Sequence, residues 1–303
     1  DFSATHCVNE HFLEKLKILN GTYVLPLSVN YRGIFYNRRM MEEDGYQIPS
    51  TYAELIHTMQ QIKKARKLPI VFADKDSWTI HQGWDAIDMS SRGSQDNLFQ
   101  NVLNGTTVLY EDPIALDSTR KFLEIRQYGQ KQTINTGYDE AVKKFAKGEA
   151  YMFLQGNWAY PIIKKINPYM DLLFMPFPTY NENQARIVVK IDATLGVSAS
   201  CKHPEAAGKF LDYVFSKNVS EYYADQAGAY SCIKSVDVAD NYAKVFTDSI
   251  RSGEFFLEEF AYESEKSNAR DVLFQNLTSS PQTYTERTFL KEWNDLLILQ
   301  KGA

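Results

Sequence analysis

The stretch Phe145-Ala-Lys-Gly-Glu-Ala-Tyr-Met-Phe-Leu-Gln-Gly-Asn-Trp-Ala-Tyr160 contains a helix end, a strand and the start of another helix in close succession. Phe145 closes an apolar helical face, and Gly148 can adopt the positive φ of a helix C-cap. Residues 150–154 form an apolar run with the length of a buried strand. The chain therefore passes from helix to strand and back to helix, as in an α/β fold.

The turn Gln155-Gly-Asn157 then presents Trp158 at the first turn of the next helix. An indole ring there offers a large flat face, and the backbone N–H groups of a helix start lie beside it. A ligand with a hydrocarbon face and many oxygens, such as a sugar ring, suits both features. The alternative interpretation is that Trp158 is a core or capping aromatic.

The composition is that of a globular chain large enough for two lobes. Its 303 residues are 44% hydrophobic and 23% charged, and 14% are aromatic, mostly 19 Tyr and 18 Phe. A net charge of -5 without a basic stripe argues against a nucleic-acid partner. No apolar run has the length that spans a bilayer.

The three cysteines Cys7, Cys201 and Cys232 lack CxxC spacing and give no support to a metal site or a redox cofactor. We therefore expect neither a cofactor nor a metal. A disulfide between Cys201 and Cys232 is compatible with the sequence, but buried free thiols are the favoured interpretation.

Strand and helix patterns alternate along the chain. Thr51 and Glu54 form a capping box before an apolar helical stripe, and residues 68–73 follow as a buried strand candidate. Pro204 opens a later helix at the position that proline tolerates best. Between them, Pro176-Phe-Pro178 prevents regular strand pairing and is a natural crossing between lobes.

Two further strand regions are each predicted in two pieces. Residues 22–28 alternate and are apolar enough for a strand, and residues 34–36 continue in extended conformation. Later in the chain, residues 187–191 and 195–198 bracket Asp192, which interrupts an apolar region.

Several motifs follow one another along nearly the whole chain: Leu25-Pro-Leu-Ser-Val-Asn30 with Ile34-Phe-Tyr-Asn-Arg38, Ile48-Pro-Ser-Thr-Tyr-Ala-Glu54, the stretch from Phe145 to Tyr160, Pro204-Glu-Ala-Ala207 with Lys209-Phe-Leu211, and Ala227-Gly-Ala-Tyr230. In this order and spacing they resemble the family 1 extracellular solute-binding proteins, the sugar-capturing components of ABC importers that include the maltose-binding type. Each motif alone is weak, and their combination carries the resemblance.

The resemblance implies a two-lobed, type II periplasmic-binding-protein-like α/β fold with an incomplete first lobe. The family normally opens with further β-α-β units before the strand at Leu25, and the usual proline after Gly228 is also missing. The expected division is a first-lobe remnant at 1–28, a second lobe at 29–176, the first lobe at 177–245, and a helical return at 246–303 that packs mainly on the second lobe.

By matching position, Trp158 and Trp78 resemble stacking aromatics of the second lobe. The alternative for Trp78 is a loop tryptophan lying over the core. Asn30 lies at the lobe crossing, where a side-chain amide can both donate to and accept from sugar hydroxyls, unless it is only a turn residue. The Asp192 carboxylate can accept two hydroxyl hydrogens, unless it forms a salt bridge within the first lobe.

Two further residues, Arg32 and Tyr230, are candidates near the cleft, although a structural role is favoured for each. His81, Trp84 and Asp85 are interpreted as helix or cleft wall. The cleft is expected to close on the ligand about a hinge at residues 28–30 and 176–179.

The predicted function is the sugar-binding component of an ABC importer, acting as a monomer with a membrane permease as its partner. We expect it on the extracellular face of a bacterial membrane, lipid-anchored or periplasmic, with the anchor outside this chain. No catalytic residues are expected. The alternatives are the same fold binding a polyamine or another small solute, and a glycoside hydrolase with two carboxylates at its sugar site.

Overall fold

The computed structural model describes residues 3–16, 21–92, 98–179, 187–236, 241–258 and 267–301. Seven strands in these ranges form one sheet: β1 Leu25–Asn37, β2 Leu68–Val71, β3 Ala150–Gly156, β4 Leu172–Met175, β5 Val188–Leu195, β6 Tyr230–Ser231 and β7 Phe256–Leu257. The α-helices of these ranges are α1 Glu10–Lys15, α2 Arg38–Glu43, α3 Tyr52–Lys64, α4 Ser77–Ser91, α5 Leu98–Leu103, α6 Pro113–Arg126, α7 Tyr138–Ala146, α8 Tyr160–Ile166, α9 Pro204–Val214, α10 Lys217–Ala227, α11 Lys244–Ser252, α12 Ser267–Ser279 and α13 Glu286–Lys301. None of these helices has the length and apolar character needed to cross a bilayer.

Local signals in the sequence place several element ends correctly. The capping box predicted at Thr51 and Glu54 opens α3. Gly148 follows α7 with φ +74°, as a C-cap glycine requires. Pro204 occupies the first turn of α9. Each of these signals acts within a few residues, so distant packing does not override it.

Strand β1 is the shared element of the sheet. Residues 25–31 pair with β5, and residues 32–36 pair with β3 on the opposite edge. The prediction of two separate pieces around residues 28–34 is therefore wrong, because one thirteen-residue strand runs through both. Its pairing with β5 shifts register on both sides of Ser28. This irregularity lies where the hinge is predicted.

A glycine makes the continuous strand sterically feasible. A Cβ at Gly33 would lie 2.2 Å from the carbonyl oxygen of Met175, which is backbone and belongs to the paired strand β4. Side chains alternate on either side of this point. Tyr31 and Phe35 face one hydrophobic core, and Ile34 faces the other.

The two cores lie on opposite faces of the sheet. The first contains Phe145, Phe174 and Phe246, together with residues of β5 and α9. The second contains Trp84 and Trp293 and is covered by α3, α4, α5, α6, α12 and α13. The predicted domain boundaries stay a prediction.

Strand β5 also differs from its predicted form. Asp192 does not separate two strands but lies within β5, at a solvent-facing position next to buried Ile191. All three cysteines are free. The expectation that they are buried holds for Cys232, whereas Cys201 is partly exposed and Cys7 is exposed.

Candidate ligand-binding site

The end of β3 positions Trp158. All seven residues of β3 are buried, and the chain leaves the strand at Gly156 in extended conformation, with φ -90° and ψ 163°. The Trp158 ring lies over this glycine, and a Cβ at Gly156 would be 2.0 Å from Trp158 Cζ3. The indole can occupy this position only because residue 156 has no side chain.

Asn157 fixes the turn that carries Trp158. Its Oδ1 accepts the Tyr31 N–H at 2.8 Å, and its Nδ2 donates to the Gly228 carbonyl at 2.5 Å. Asn157 is fully buried, and these two bonds join the turn to β1 and to the end of α10. Sequence reasoning treated Asn157 only as a turn residue. Since Asn is common in turns, the sequence gives no signal for this second role.

Trp78 reaches the same place from the start of α4. The ring centroids of Trp78 and Trp158 are 6.2 Å apart, with the planes inclined at 50°. The ring of Tyr138, at the start of α7, lies 5.1 Å from that of Trp78. Asp76 ties the two helix starts together by accepting the Tyr138 N–H at 2.6 Å. We call Trp78, Tyr138 and Trp158 the aromatic wall; its three side chains are partly exposed.

Polar atoms near the wall have unused hydrogen-bonding capacity. Within the described ranges, Trp158 Nε1, the Tyr138 hydroxyl and Gln82 Oε1 are buried and have no hydrogen-bond partner. Burial also raises the pKa of the Tyr138 hydroxyl, which therefore stays protonated at neutral pH. Most buried polar groups in proteins are paired. Two donors and an acceptor without partners are what a hydroxyl-rich ligand can satisfy.

Helix α4 carries Trp78 of the aromatic wall near its start and Asp85 of a charged cluster further along. Asp85 lies two helical turns beyond Trp78, about 10 Å along the helix axis. Its Oδ2 is 3.6 Å from Arg32 Nη1, which also contacts Glu258 Oε2 at 2.7 Å. Lys190 Nζ lies 4.0 Å from Glu258 Oε1. These four side chains bring together β1, α4, β5 and the end of β7.

Helix α12 contacts the first turns of α4 through Asp271. Asp271 Oδ2 accepts from the Ser77 hydroxyl at 2.9 Å, and Asp271 Oδ1 lies 3.3 Å from His81 Nδ1. Burial opposes ionisation of Asp271, but the contacts with His81, Ser77 and Arg270 outweigh it, and the pKa of this carboxyl is lowered. Asp271 Oδ2 thus has a hydrogen-bond partner, whereas Oδ1 is buried near His81 and Arg270 without a hydrogen bond.

The structure places four of the six predicted site residues in two separate pairs along α4. Trp78 and Trp158 are in ring contact, and Asn30 and Arg32 lie on the α4 side of β1. Asp192 is elsewhere on β5, where Ser28 Oγ is 3.5 Å from its Oδ2 and partial desolvation raises the pKa of its carboxyl. Tyr230 is 8% exposed and belongs to the first core. Ligand contact by any of the six stays a prediction.

Replacement of Gly156 by alanine is expected to weaken ligand binding about tenfold, because the new methyl group occupies the place of the Trp158 ring. We also expect the free energy of unfolding to fall by about 1–3 kcal/mol from overpacking. Calorimetric titration and urea unfolding measure the two effects.

Gly45→Ala is the matched control for this change. Gly45 has φ +74°, and no atom lies within 4 Å of the position that a Cβ would take there. The variant should therefore lose about 1 kcal/mol of stability without loss of binding. Equal affinity of the Gly156→Ala variant and wild type would show that the ring position does not matter.

Comparison with solved structures identifies the architecture. RafE in complex with raffinose superposes with a TM-score of 0.82 at 22% identity, and the match covers 98% of this chain and 78% of that one. A sugar transporter from Bacillus licheniformis in complex with stachyose gives a TM-score of 0.78 at 18% identity, covering 98% and 78%. A chitin oligosaccharide binding protein gives 0.80 at 17%, covering 98% and 76%. At these identities the comparison establishes the fold, which is the predicted two-lobed, periplasmic-binding-protein-like α/β class.

Curated relatives are found at the level of sequence. The multiple sugar-binding protein of Streptococcus mutans is 26% identical over 234 residues, which are 76% of this chain and 56% of the relative. An uncharacterized ABC transporter extracellular-binding protein of Pyrococcus horikoshii is 25% identical over 200 residues, 64% of this chain and 43% of the relative. The chain thus spans about half the length of the curated relatives it matches.

The fold is that of the two-lobed, periplasmic-binding-protein-like class. The family of bacterial extracellular solute-binding proteins matches residues 8–220. The chain belongs to this family.

Proposed function

We propose that this chain is the substrate-binding component of an ABC importer and that it captures a sugar or oligosaccharide. The observation that carries the proposal is the contact between Trp78 and Trp158 together with the buried, unpartnered Nε1 of Trp158. Indole faces cover the apolar face of a pyranose ring, while an unused N–H donor suits one of its hydroxyl oxygens. The sugars named for the relatives, raffinose, stachyose and chitin oligosaccharide, support the same ligand class.

The charges around the wall favour a neutral ligand. Asp85 and Glu258 are paired with Arg32, and Asp271 Oδ1 lies 3.6 Å from Arg270 Nη2. A polyamine site would need carboxylates whose negative charge is not already neutralised by a cationic side chain of the protein. A glycoside hydrolase would need a carboxylic acid with a raised pKa beside the sugar, whereas the pKa of Asp271 is lowered. Binding without chemical change is therefore the function that we propose.

Closure of the cleft is the proposed signal. Strand β1 pairs with β5 through residues 25–31 and with β3 through residues 32–36, and its pairing with β5 shifts register at Ser28. We propose that these two halves of the sheet turn relative to each other at this irregularity. A sugar that contacts both halves stabilises the closed form, which the membrane permease would recognise. We place this event on the extracellular face of the membrane, with the protein acting as a monomer that is lipid-anchored or periplasmic.

A thermal-shift screen tests the proposed function. We expect at least one of raffinose, stachyose and chitotriose to raise Tm by about 5 °C at 100 times its Kd, because the sugar binds only the folded state. Spermidine, sulfate and divalent metals serve as the comparison set. A rise in Tm with spermidine alone would show that the ligand is a polyamine and not a sugar. Release of new reducing ends from the bound sugar would show that the protein is an enzyme.

A further inference from the structure

Strand β1 changes its partner between Tyr31 and Arg32. Tyr31 pairs with Val189 of β5, whereas Arg32 pairs with Gly156, the last residue of β3. Asn157 follows Gly156 directly, and its Oδ1 accepts the Tyr31 N–H at 2.8 Å. The Asn157 side chain thus takes the place of a backbone acceptor where β3 ends, at the crossing between the two halves of the sheet.

The same side chain reaches the β5 half of the sheet through α10. Asn157 Nδ2 donates to the carbonyl of Gly228, the residue at which α10 ends. Strand β6 begins two residues later and pairs with β1 at Ser28, where the register of β1 and β5 shifts. Asn157 therefore links the turn that carries Trp158 to the segment that runs into the proposed hinge.

Gly228 makes this link short. It has φ +64°, and a Cβ there would lie 2.6 Å from Pro161 Cδ and 2.9 Å from the Asn157 carbonyl oxygen. The end of α10 is therefore packed directly against the turn and the start of α8, with no room for a side chain between them. Since close-packed groups transmit displacements, a movement of α10 has to shift the turn or break the hydrogen bond from Asn157.

A second contact near the turn is apolar. The ring of Tyr160 stacks on that of Tyr242, with centroids 3.8 Å apart and planes inclined at 11°. Stacked rings can slide over each other, whereas a hydrogen bond is directional. Asn157 is therefore the contact that ties the direction of the turn to the position of α10.

We propose that Asn157 is a positioning residue that couples closure of the cleft to the place of the Trp158 indole. Asn157 is fully buried, so it acts through the turn and not by touching the sugar. When the halves turn at Ser28, the end of α10 moves with β6 and carries the turn along. Because coupling is reciprocal, a sugar that holds the indole also favours the closed position of α10. This inference rests on the proposed function and adds to it a route from sugar contact to closure.

Calorimetric titration and small-angle X-ray scattering test the coupling. The probe is whichever of raffinose, stachyose and chitotriose binds wild type most tightly. Asn157→Ala removes both hydrogen bonds, and we expect it to weaken binding about tenfold. At saturating sugar, the decrease in radius of gyration should be smaller in Asn157→Ala than in wild type, because the indole no longer moves with α10.

Asn294→Ala is the matched control. Asn294 is 2% exposed, and its Oδ1 accepts the Leu109 N–H at 3.0 Å, on the side of the sheet covered by α13. Both alanine variants leave a buried backbone N–H without its acceptor, so both should lower Tm. Only Asn157→Ala should also change the sugar affinity and the response of the radius of gyration.

Asn157→Asp tests the link to α10 separately. An ionised carboxylate can still accept the Tyr31 N–H, but it has no hydrogen to donate to the Gly228 carbonyl. Protonation restores that donor, and burial favours the protonated form. We expect the affinity of Asn157→Asp relative to wild type to rise about tenfold from about pH 9 to about pH 5, with no such rise for Asn157→Ala. Both bonds are kept at low pH, so this test stands even if Asn157→Ala does not fold.

The outcomes separate the coupling from the proposed function. Wild-type affinity and response of Asn157→Ala, or equal losses in Asn294→Ala, would overturn the coupling and leave the proposed function standing. So would a relative affinity of Asn157→Asp that does not depend on pH, or a wild type that binds sugar without a change in radius of gyration. Absence of sugar binding by wild type would contradict the proposed function and the coupling with it.

Discussion

Replacement of Trp158 by alanine is expected to weaken sugar binding about 10- to 100-fold. The side chain supplies half of the indole pair and an Nε1 donor that has no partner in the protein, so both stacking and a hydrogen bond to the ligand are lost. Because the ring is partly exposed and lies over a glycine, stability should fall by only about 1 kcal/mol, or about 2–4 °C in Tm. Isothermal titration calorimetry and thermal unfolding measure the two quantities.

A second wall variant and an exposed aromatic control test whether this effect is specific to the aromatic wall. Trp78→Ala should weaken binding in the same range, since its ring contacts that of Trp158. Tyr169→Ala removes an aromatic side chain that is 88% exposed and should leave affinity unchanged. Loss of stability by about 3 kcal/mol or more in Trp158→Ala, with unchanged affinity, would identify Trp158 as a core aromatic.

The second large effect concerns stability. Asp88 accepts two hydrogen bonds from Arg92, at 2.5 and 2.8 Å, and both side chains are almost fully buried on α4. Arg92 also donates to Asp112, whose side chain caps the first turn of α6. We expect Asp88→Ala to lower the free energy of unfolding by about 3–5 kcal/mol, because it removes the carboxylate that accepts two hydrogen bonds from a buried guanidinium. Urea unfolding with a two-state check measures the change.

The chain offers a matched control for this pair. Asp248 and Lys244 form an ion pair of the same helical spacing on α11, but both side chains are exposed. Asp248→Ala should cost about 0.5 kcal/mol or less. Removing both partners in the double variant Asp88→Ala/Arg92→Met should cost less than the sum of the two single changes. A loss below about 1 kcal/mol in Asp88→Ala would show that the buried pair contributes little.

Local chemistry explains which parts of the fold the sequence predicts. The capping box at Thr51 and the glycine at 148 act through neighbouring atoms, so their effects are readable along the chain. The continuity of β1 cannot be predicted from neighbouring residues in this way. A glycine such as Gly33 is unfavourable inside a strand, and the reason for it is the close approach of the Met175 carbonyl, which is far away in sequence.

The same distinction holds for strand β5. Asp192 resembles an interruption because a carboxylate is unusual in an apolar run. In the folded chain the strand alternates between a buried and a solvent-facing side, and residue 192 falls on the solvent-facing side. A polar residue is tolerated at that position, and the strand continues through it.

Some residues of the candidate site could be predicted from the sequence, and others could not. Trp158 was identified from its place at a helix start after a buried strand, and Trp78 through the resemblance; the structure places their rings in contact. Tyr138 and Glu258 were missed because neither lies in a motif, and each reaches the site only through folding. Their sequence signal is weak for a physical reason: a tyrosine at a helix start and a glutamate after a short strand have many ordinary uses.

Intrinsic tryptophan fluorescence during a sugar titration tests the central claim most directly. Of the four tryptophans, Trp84 and Trp293 are buried in the second core, whereas Trp78 and Trp158 form the proposed sugar platform. We predict a saturable change in emission when the sugar that raises Tm most is added to wild type, and loss of that change in Trp78→Phe/Trp158→Phe. An unaltered spectrum at saturating sugar in wild type, or an equal change in the double variant, would contradict a sugar held against these two rings.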